Sequence, residues 1–252
     1  MNKLSISIFS LLLFSASFLS GQEMSQEAAP LYNEGNKLYK SGQYGGAIEK
    51  YDSAIVIQEH EKIFYQKSVA QKKLRKFDEA EKSLLKCVAL NPNFVAAYSG
   101  LGTTYYSLKK YQLAVDNFNI YVEKTDNEKS KTKIKKFIGL SYTQLGQGAK
   151  RDGKHKQAIT FLNEAVKNYK YDSAYLALAE INIELGKYND ALSAADNAIN
   201  NRKKITKGAG YYYKGLAFKG LEDKEKAREN FKVSVKDKTY KASSEYELKQ
   251  LK

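Results

Sequence analysis

Apolar side chains recur with helical spacing along Val95–Tyr121, in two runs separated by a polar corner at Lys109 and Lys110. An α-helix has about 3.6 residues per turn, so positions three and four apart share one face. That face carries Tyr98, Leu101, Gly102 and Tyr105 in the first run, and Ala114, Phe118 and Tyr121 in the second. The pattern predicts two short helices that pack as a hairpin.

The same pattern recurs in six units. An alanine marks each second helix, at intervals of 33, 34, 44, 33 and 36 residues: Ala47, Ala80, Ala114, Ala158, Ala191 and Ala227. A small residue lies 12 positions earlier, where the helices cross: Gly35, Ser68, Gly102, Gly146, Ala179 and Gly215. Four positions after each alanine come Tyr51, Leu84, Phe118, Leu162, Ala195 and Phe231. We call these three sets of equivalent positions the repeat columns. Because they keep the same relative spacing through six units, they predict stacked helical hairpins.

This unit resembles the tetratricopeptide repeat, a helix-turn-helix unit of about 34 residues. The small, alanine and aromatic positions carry the resemblance, while Tyr98 occupies the family's first-helix Trp position, because the chain has no Trp. The resemblance implies an all-α fold, a right-handed α-solenoid, with repeats at about 28–60, 61–94, 95–127, 128–171, 172–205 and 206–238. We expect residues 239–252 to form a C-terminal capping helix with a polar outer face.

The fourth unit contains about ten extra residues, within a junction that includes the lysine-rich run Glu128–Lys136. Ile134, Phe137, Ile138 and Ser141 keep helical spacing there, so we predict one long first helix that reaches about Lys150. Two glycines, Gly139 and Gly146, lie on nearly the same face of that helix. Either of them can meet Ala158, and the spacing leaves this register open.

The first 21 residues have the pattern of a secretory signal peptide. Lys3 supplies the positive charge, and Leu4–Leu19 are uncharged and mostly apolar. Cleavage after Ser17 and after Gly21 both fit, and a retained membrane anchor is the alternative, although the run is short for a span of about 20 residues. We expect residues 22–252 to be a single exported solenoid, periplasmic or in the cell envelope.

The chain offers little chemistry for catalysis. It has two histidines and one cysteine, and it contains no phosphate-binding loop, nucleophile elbow or metal-ligand spacing. His155 takes an aromatic packing position of the repeat, Cys87 takes a small core position, and His60 falls in a turn where we expect it to be solvated. We therefore expect no enzyme activity, no metal site and no cofactor.

The resemblance also implies a concave groove lined by the first helices of the repeats. The positions carried over are Tyr32, Asn36, Tyr39, Tyr65, Lys72, Lys73, Thr103, Tyr106, Gln147, Lys150, Arg151, Tyr212 and Lys219. We expect tyrosines, a basic band in repeats two to four, and an acidic patch at Glu180 and Glu184 in repeat five. Tyrosine offers a large contact area with few rotatable bonds, which suits peptide or protein recognition.

The formal net charge is +14, and such a surface attracts acidic partners. We expect a scaffold or adaptor in the bacterial cell envelope that binds a peptide segment or protein partner of acidic character, and no nucleic acid. The alternative is a binder of an anionic envelope polymer or membrane surface through the basic face. The carboxylate clamp of some family members is not expected, because Tyr32, Gln66, Ala96 and Gly100 occupy its positions.

Overall fold

The computed structural model describes residues 23–251, which form thirteen α-helices and no β-strand. The predicted signal peptide, residues 1–21, lies outside this range. The helices are α1 (Ala28–Lys40), α2 (Tyr44–Ile57), α3 (Glu61–Lys73), α4 (Phe77–Leu90), α5 (Val95–Ser107), α6 (Tyr111–Lys124), α7 (Glu128–Arg151), α8 (His155–Asn168), α9 (Asp172–Glu184), α10 (Tyr188–Asn200), α11 (Lys207–Gly220), α12 (Lys224–Ser234) and α13 (Lys241–Gln250).

Consecutive helices pair into six hairpins, and α13 follows the last pair. Each second helix also packs on the first helix of the next hairpin. The odd-numbered helices from α1 to α11 contact one another in series, so they form one continuous surface. We call this surface the first-helix face. No helix within residues 23–251 is both long enough and apolar enough to cross a membrane.

The residues of the repeat columns, predicted from the sequence, form the core. All six marker alanines are completely buried, as are the six residues four positions later. In the third hairpin, a Cβ atom on Gly102 would collide with the ring of Phe118. The small residue in the first helix therefore makes room for the large residue in the second, which is why these two positions change together along the chain.

The long first helix of the fourth repeat is confirmed. Helix α7 has 24 residues, whereas α5 has 13. The register is also resolved, because both glycines face α8 at different heights. A Cβ on Gly146 would lie 2.6 Å from Leu162 Cγ, and a Cβ on Gly139 would lie 2.7 Å from Tyr169 Cβ. Gly146 is thus the glycine that meets the Ala158 turn, with the Ala158 carbonyl oxygen 3.3 Å from the added Cβ.

The C-terminal helix covers the end of the array. Leu251 and Phe231 are buried in one apolar cluster. The hydroxyls of Ser234 and Ser244 are 2.6 Å apart and fully buried, so they satisfy each other across the α12–α13 contact. Helix α13 therefore caps the last repeat, as expected from the sequence.

Candidate functional site on the first-helix face

A cavity of about 320 Å³ lies on the first-helix face where α3, α5 and α7 converge. Four serine or threonine residues, two lysines, two tyrosines and several apolar groups line it. The lining residues are Tyr65, Ser68, Val69 and Lys72 of α3, Ser99, Gly100 and Thr103 of α5, Tyr121 of α6, and Ser130, Lys133, Ile134 and Phe137 of α7. No acidic side chain is among them.

The extra length of α7 supplies one wall of this cavity. Three residues separate the end of α6 from the start of α7, and the Asn127 side chain accepts a hydrogen bond from the Ser130 N–H at 2.9 Å. This is an N-cap, which fixes the first turn of the helix. Ile134 is buried, and the Phe137 ring stacks on Phe118 with centroids 5.7 Å apart. The extension is therefore packed against the core.

Lys72 is the most enclosed charge in the cavity. Its Nζ donates a hydrogen bond of 2.5 Å to Thr103 Oγ1. Burial lowers the pKa of its ammonium group, since removal from water disfavours the charged form. Among the described residues, no carboxylate lies within salt-bridge distance of Lys72 or of the exposed Lys133.

Tyr65 forms an aromatic side of the cavity. Its ring lies against Phe94, with centroids 5.1 Å apart and the planes tilted by 50°. Burial raises the pKa of the Tyr65 hydroxyl, and nearby Cys87 and Tyr121 add to the rise. The hydroxyl is therefore protonated at neutral pH, so it can donate a hydrogen bond to a bound group.

The predicted groove residues of the first repeat are engaged in packing within that repeat. The Tyr32 ring lies 6.1 Å from the Tyr51 ring, and the Asn36 side-chain oxygen accepts a hydrogen bond of 2.8 Å from the Tyr51 hydroxyl. Tyr39 contacts Tyr44, with centroids 5.3 Å apart. These three side chains brace the first hairpin and remain partly accessible on the first-helix face.

The predicted basic band and acidic patch meet in repeats four and five. Lys150 forms an ion pair with Glu180 and a longer one, at 3.8 Å, with Glu184. Gln147, Lys150, Arg151 and Glu180 share a second cavity of about 370 Å³. Because opposite charges pair there, the basic groups of this second cavity are partly balanced, whereas the first cavity has two lysines and no acidic side chain in its lining.

The remaining predicted residues are divided between the centre and the C-terminal end. Tyr106 packs against Tyr111 and Phe137, beside the first cavity. Lys73 is exposed next to Lys72 and does not line the cavity.

At the C-terminal end, the chain's own last helix covers the predicted groove residues. The Tyr212 ring lies 5.1 Å from that of Tyr240, and Lys219 Nζ pairs with Glu247 at 2.5 Å. Tyr212 and Lys219 therefore contact the cap region instead of an open groove.

Two sequence profiles of the tetratricopeptide repeat match the chain, one at residues 61–94 and one at residues 143–205. These matches fall on the second repeat and on the fourth and fifth. The chain therefore contains tetratricopeptide repeats.

Known proteins match this chain over part of its length. Small glutamine-rich tetratricopeptide repeat-containing protein 2 of Saccharomyces cerevisiae is 26% identical over 141 residues, 52% of this chain and 41% of the yeast protein. The Hsp70-Hsp90 organising protein of Plasmodium falciparum is 31% identical over 110 residues, 40% of this chain and 20% of that protein. The chain thus spans less than half the length of either relative.

Among solved structures, YrrB, described as a TPR protein with an unusual peptide-binding site, superimposes with a TM-score of 0.51. The superposition covers 78% of this chain and 96% of YrrB, at 17% sequence identity. At that identity the likeness shows the fold alone.

Sequence reasoning missed one wall of the cavity. Ser130, Lys133, Ile134 and Phe137 were not among the predicted groove residues, yet they line it. Their spacing of three, four and seven places them on one side of a helix. The signal was therefore present in the lysine-rich run, but the run had no counterpart in the other five repeats.

The expectation for His60 was wrong. Its side chain is 3% exposed, and its Nδ1 accepts a hydrogen bond of 3.1 Å from the Lys62 N–H. His60 is the N-cap of α3, a role that needs a side-chain acceptor at the helix start. His155 is partly buried, as its packing position predicts.

Cys87 occupies the small core position expected from the sequence. It is fully buried, and burial raises the pKa of its thiol to about 12. Since the thiolate is the reactive form, the folded protein holds this thiol in an unreactive state at neutral pH. Across residues 23–251, no group of three or more His, Cys, Asp or Glu residues has the arrangement of a metal site.

Proposed function

We propose that this protein is a non-enzymatic scaffold that binds a peptide segment or a protein partner on its first-helix face. The observation that carries the proposal is the cavity between α3, α5 and α7, which is open, partly aromatic and lined by two lysines without an acidic partner. Elsewhere on this face, Lys150 and Lys219 form ion pairs, and the rings of Tyr39 and Tyr212 pack against other tyrosines. A surface that retains unmatched charge beside apolar groups suits a complementary ligand.

The relatives support the general class of this function. Tetratricopeptide repeat homologues serve in protein–protein interaction, and one relative is named for organising Hsp70 with Hsp90. Protein–protein interaction as a general function requires only the repeat surface, and the segments of this chain that match the relatives contain that surface. The identity of the partner does not transfer, because the relatives share only part of their length.

Photo-crosslinking in cells that produce the protein tests the proposal. We would place benzoylphenylalanine at Val69, in the cavity, and separately at Leu85, which is exposed on the second helix α4. Mass spectrometry then identifies each adduct. We expect a defined protein adduct from position 69 and none from position 85. Adducts from position 85 alone would show that partners bind the opposite side of the array.

We further propose that the protein acts after export, in the periplasm or cell envelope. Support comes from the positive Lys3 and the apolar run Leu4–Leu19. N-terminal sequencing of the cellular protein, combined with fractionation, tests this. We expect an envelope fraction whose chain begins at Phe18 or Gln22. A cytoplasmic protein that retains Met1–Gly21 would contradict it.

A further inference from the structure

We infer that the cavity under the α7 extension binds the carboxylate of an Asp or Glu side chain in a peptide partner. The inference rests on the proposed peptide-binding function and names the chemistry that it recognises. Lys72 lies inside the cavity and Lys133 is exposed on its α7 wall, so the two ammonium groups come from different repeats. The extra length of α7 is what brings the second lysine to the site.

The positive charge of the cavity lining favours an anionic ligand. Two lysines and no carboxylate line the cavity, and the described chain provides no salt-bridge partner for either lysine. An ammonium group has three N–H donors, and Thr103 accepts from one of those on Lys72. A partly desolvated ammonium gains most from a charged acceptor, because charge-assisted hydrogen bonds are stronger than neutral ones.

The hydroxyl of Thr103 positions the Lys72 ammonium group, and the hydroxyl of Tyr65 offers a donor to an anion. Thr103 Oγ1 lies 2.9 Å from the Gly100 carbonyl oxygen and 3.1 Å from the Ser99 carbonyl oxygen, so its proton points into α5. Its lone pairs are therefore available to Lys72, which fixes the ammonium in place. The Tyr65 hydroxyl, protonated at neutral pH, is a further donor on the wall of the cavity.

The apolar lining favours a carboxylate over a phosphate group. Val69, Ile134 and Phe137 share the cavity with the lysines, and there is no arginine. A phosphate dianion would bring a second negative charge into a partly apolar space, where unpaired charge is costly. A single carboxylate matches the one enclosed ammonium, and the methylene groups of Glu or a neighbouring apolar residue contact the apolar wall.

Selection of peptides by the folded protein tests the inference. The probe is a phage-displayed library of random dodecapeptides, selected on residues 23–252, and the best peptide is then synthesised with fluorescein for anisotropy titration. We expect selected peptides to carry Asp or Glu beside an apolar residue. Replacement of that acid by its amide should weaken binding at least about tenfold, as for loss of an enclosed charge pair.

Matched lysine variants assign the effect to the cavity. Lys72→Met and Lys133→Met remove the two lining ammonium groups, while Lys73→Met and Lys135→Met remove exposed neighbours that do not line the cavity. We expect Lys72→Met to weaken the acidic peptide at least about tenfold and Lys73→Met to change its affinity less than about twofold. Circular dichroism checks that each variant is folded; Lys133→Met provides the test if Lys72→Met is not.

The outcomes separate the two proposals. If the wild type selects no peptide, the proposed peptide-binding function is overturned and the inference fails with it. If it selects peptides that bind Lys72→Met and Lys133→Met as tightly as the wild type, peptide binding stands and the cavity assignment is overturned. A peptide with phosphoserine in place of the acid that binds more tightly, with the same Lys72 dependence, would overturn the choice of carboxylate.

Discussion

Asp172 shows how one side chain joins two distant parts of this fold. It begins α9 and is fully buried, and its Oδ2 accepts hydrogen bonds from the backbone N–H groups of Lys203, Lys204 and Ile205. Its Oδ1 accepts from the Ser173 N–H at 2.9 Å. Burial alone would raise the pKa of this carboxyl, but the four backbone donors hold it below its usual value. The carboxylate thus secures the link between α10 and α11.

The first prediction concerns Asp172→Asn. An amide places N–H groups against backbone N–H donors, so we expect the free energy of unfolding to fall by about 1–3 kcal/mol at pH 7. Asp190→Asn, at an exposed site in α10, should change it by less than about 0.5 kcal/mol. Urea denaturation followed by circular dichroism measures both.

The pH dependence of that difference has a defined sign. A carboxyl whose pKa is lower in the folded protein stabilises it fully above the unfolded pKa, near 3.8. The stabilisation is lost as the pH falls through the lower, folded pKa. The gap between wild type and Asp172→Asn should therefore stay constant from neutral pH down to about 5 and narrow below about 4. A gap that widens in acid would contradict the assignment.

The second prediction compares two glycines of α7. Gly146→Ala would place a Cβ 2.6 Å from Leu162 Cγ and 3.3 Å from the Ala158 carbonyl oxygen, so α7 and α8 must separate. We expect a loss of about 1–3 kcal/mol of unfolding free energy. Gly148→Ala meets only the end of the Arg151 side chain, at 3.9 Å, and should be neutral or stabilise by up to about 1 kcal/mol. Equal effects would show that the two helices are not closely packed at Gly146.

At the level of elements, the repeat columns are sufficient to predict the helices. The second helices Tyr44–Ile57, Phe77–Leu90 and Tyr111–Lys124 each contain a marker alanine and the large residue predicted four positions later. This spacing can be recognised locally, because the apolar positions of one helix lie within a single short segment of the chain. The prediction extends to the long α7, since its apolar residues keep the same period.

What the sequence does not show is how helices of different repeats meet. The pairing of Lys150 with Glu180 joins α7 to α9, and the contact of Asp172 with Ile205 joins residues 33 positions apart. The cavity likewise needs α3, α5 and α7 together. Periodicity places a residue on one face of a helix, but it does not say which residue of a neighbouring helix lies opposite. The ion pairs between repeats and the cavity could therefore not be predicted from the sequence pattern.

The third prediction concerns the C-terminal helix. Removal of residues 239–252 would expose the cluster around Phe231 and leave Ser234 without its hydroxyl partner. We expect the midpoint of thermal unfolding to fall by several degrees, since terminal repeats need a polar cap. Differential scanning calorimetry measures this.

A point substitution in α13 provides the control. Tyr246→Ala alters a side chain that is 61% exposed and should leave the unfolding midpoint nearly unchanged. An unaltered midpoint in the truncated chain would show that α13 does not cap the array.

At the scale of the whole molecule, the excess of basic residues has a local consequence at the first cavity. The chain has 42 basic and 28 acidic residues, and many of the lysines form exposed ion pairs such as Lys50 with Glu34. Such pairs contribute little to stability. The lysines around the first cavity lack such partners within the described chain, so the field there attracts acidic groups, and association should weaken as salt is added.

The continuous first-helix face explains why the repeats suit a binding role. Six hairpins supply the face, the first repeat uses its tyrosines to brace itself, and α13 covers the far end. The first cavity, at the centre between α3 and α7, has no acidic side chain in its lining, whereas the second cavity on this face contains Glu180. The extra residues of one repeat thus form a wall of this cavity without any change to the core positions shared by the six repeats.

The most direct test of the account is disulfide trapping of the selected acidic peptide on the first-helix face. Because Cys87 is buried and unreactive, a cysteine introduced at the surface becomes the reactive thiol of residues 23–252. Ser99→Cys places it in the cavity, and Leu113→Cys places it on the exposed side of α6. The peptide carries one activated cysteine, and mass spectrometry follows the mixed disulfide. We expect trapping at position 99 to be at least about tenfold faster than at position 113 and to be suppressed by excess unlabelled peptide. Equal rates, or faster trapping at position 113, would contradict binding on the first-helix face.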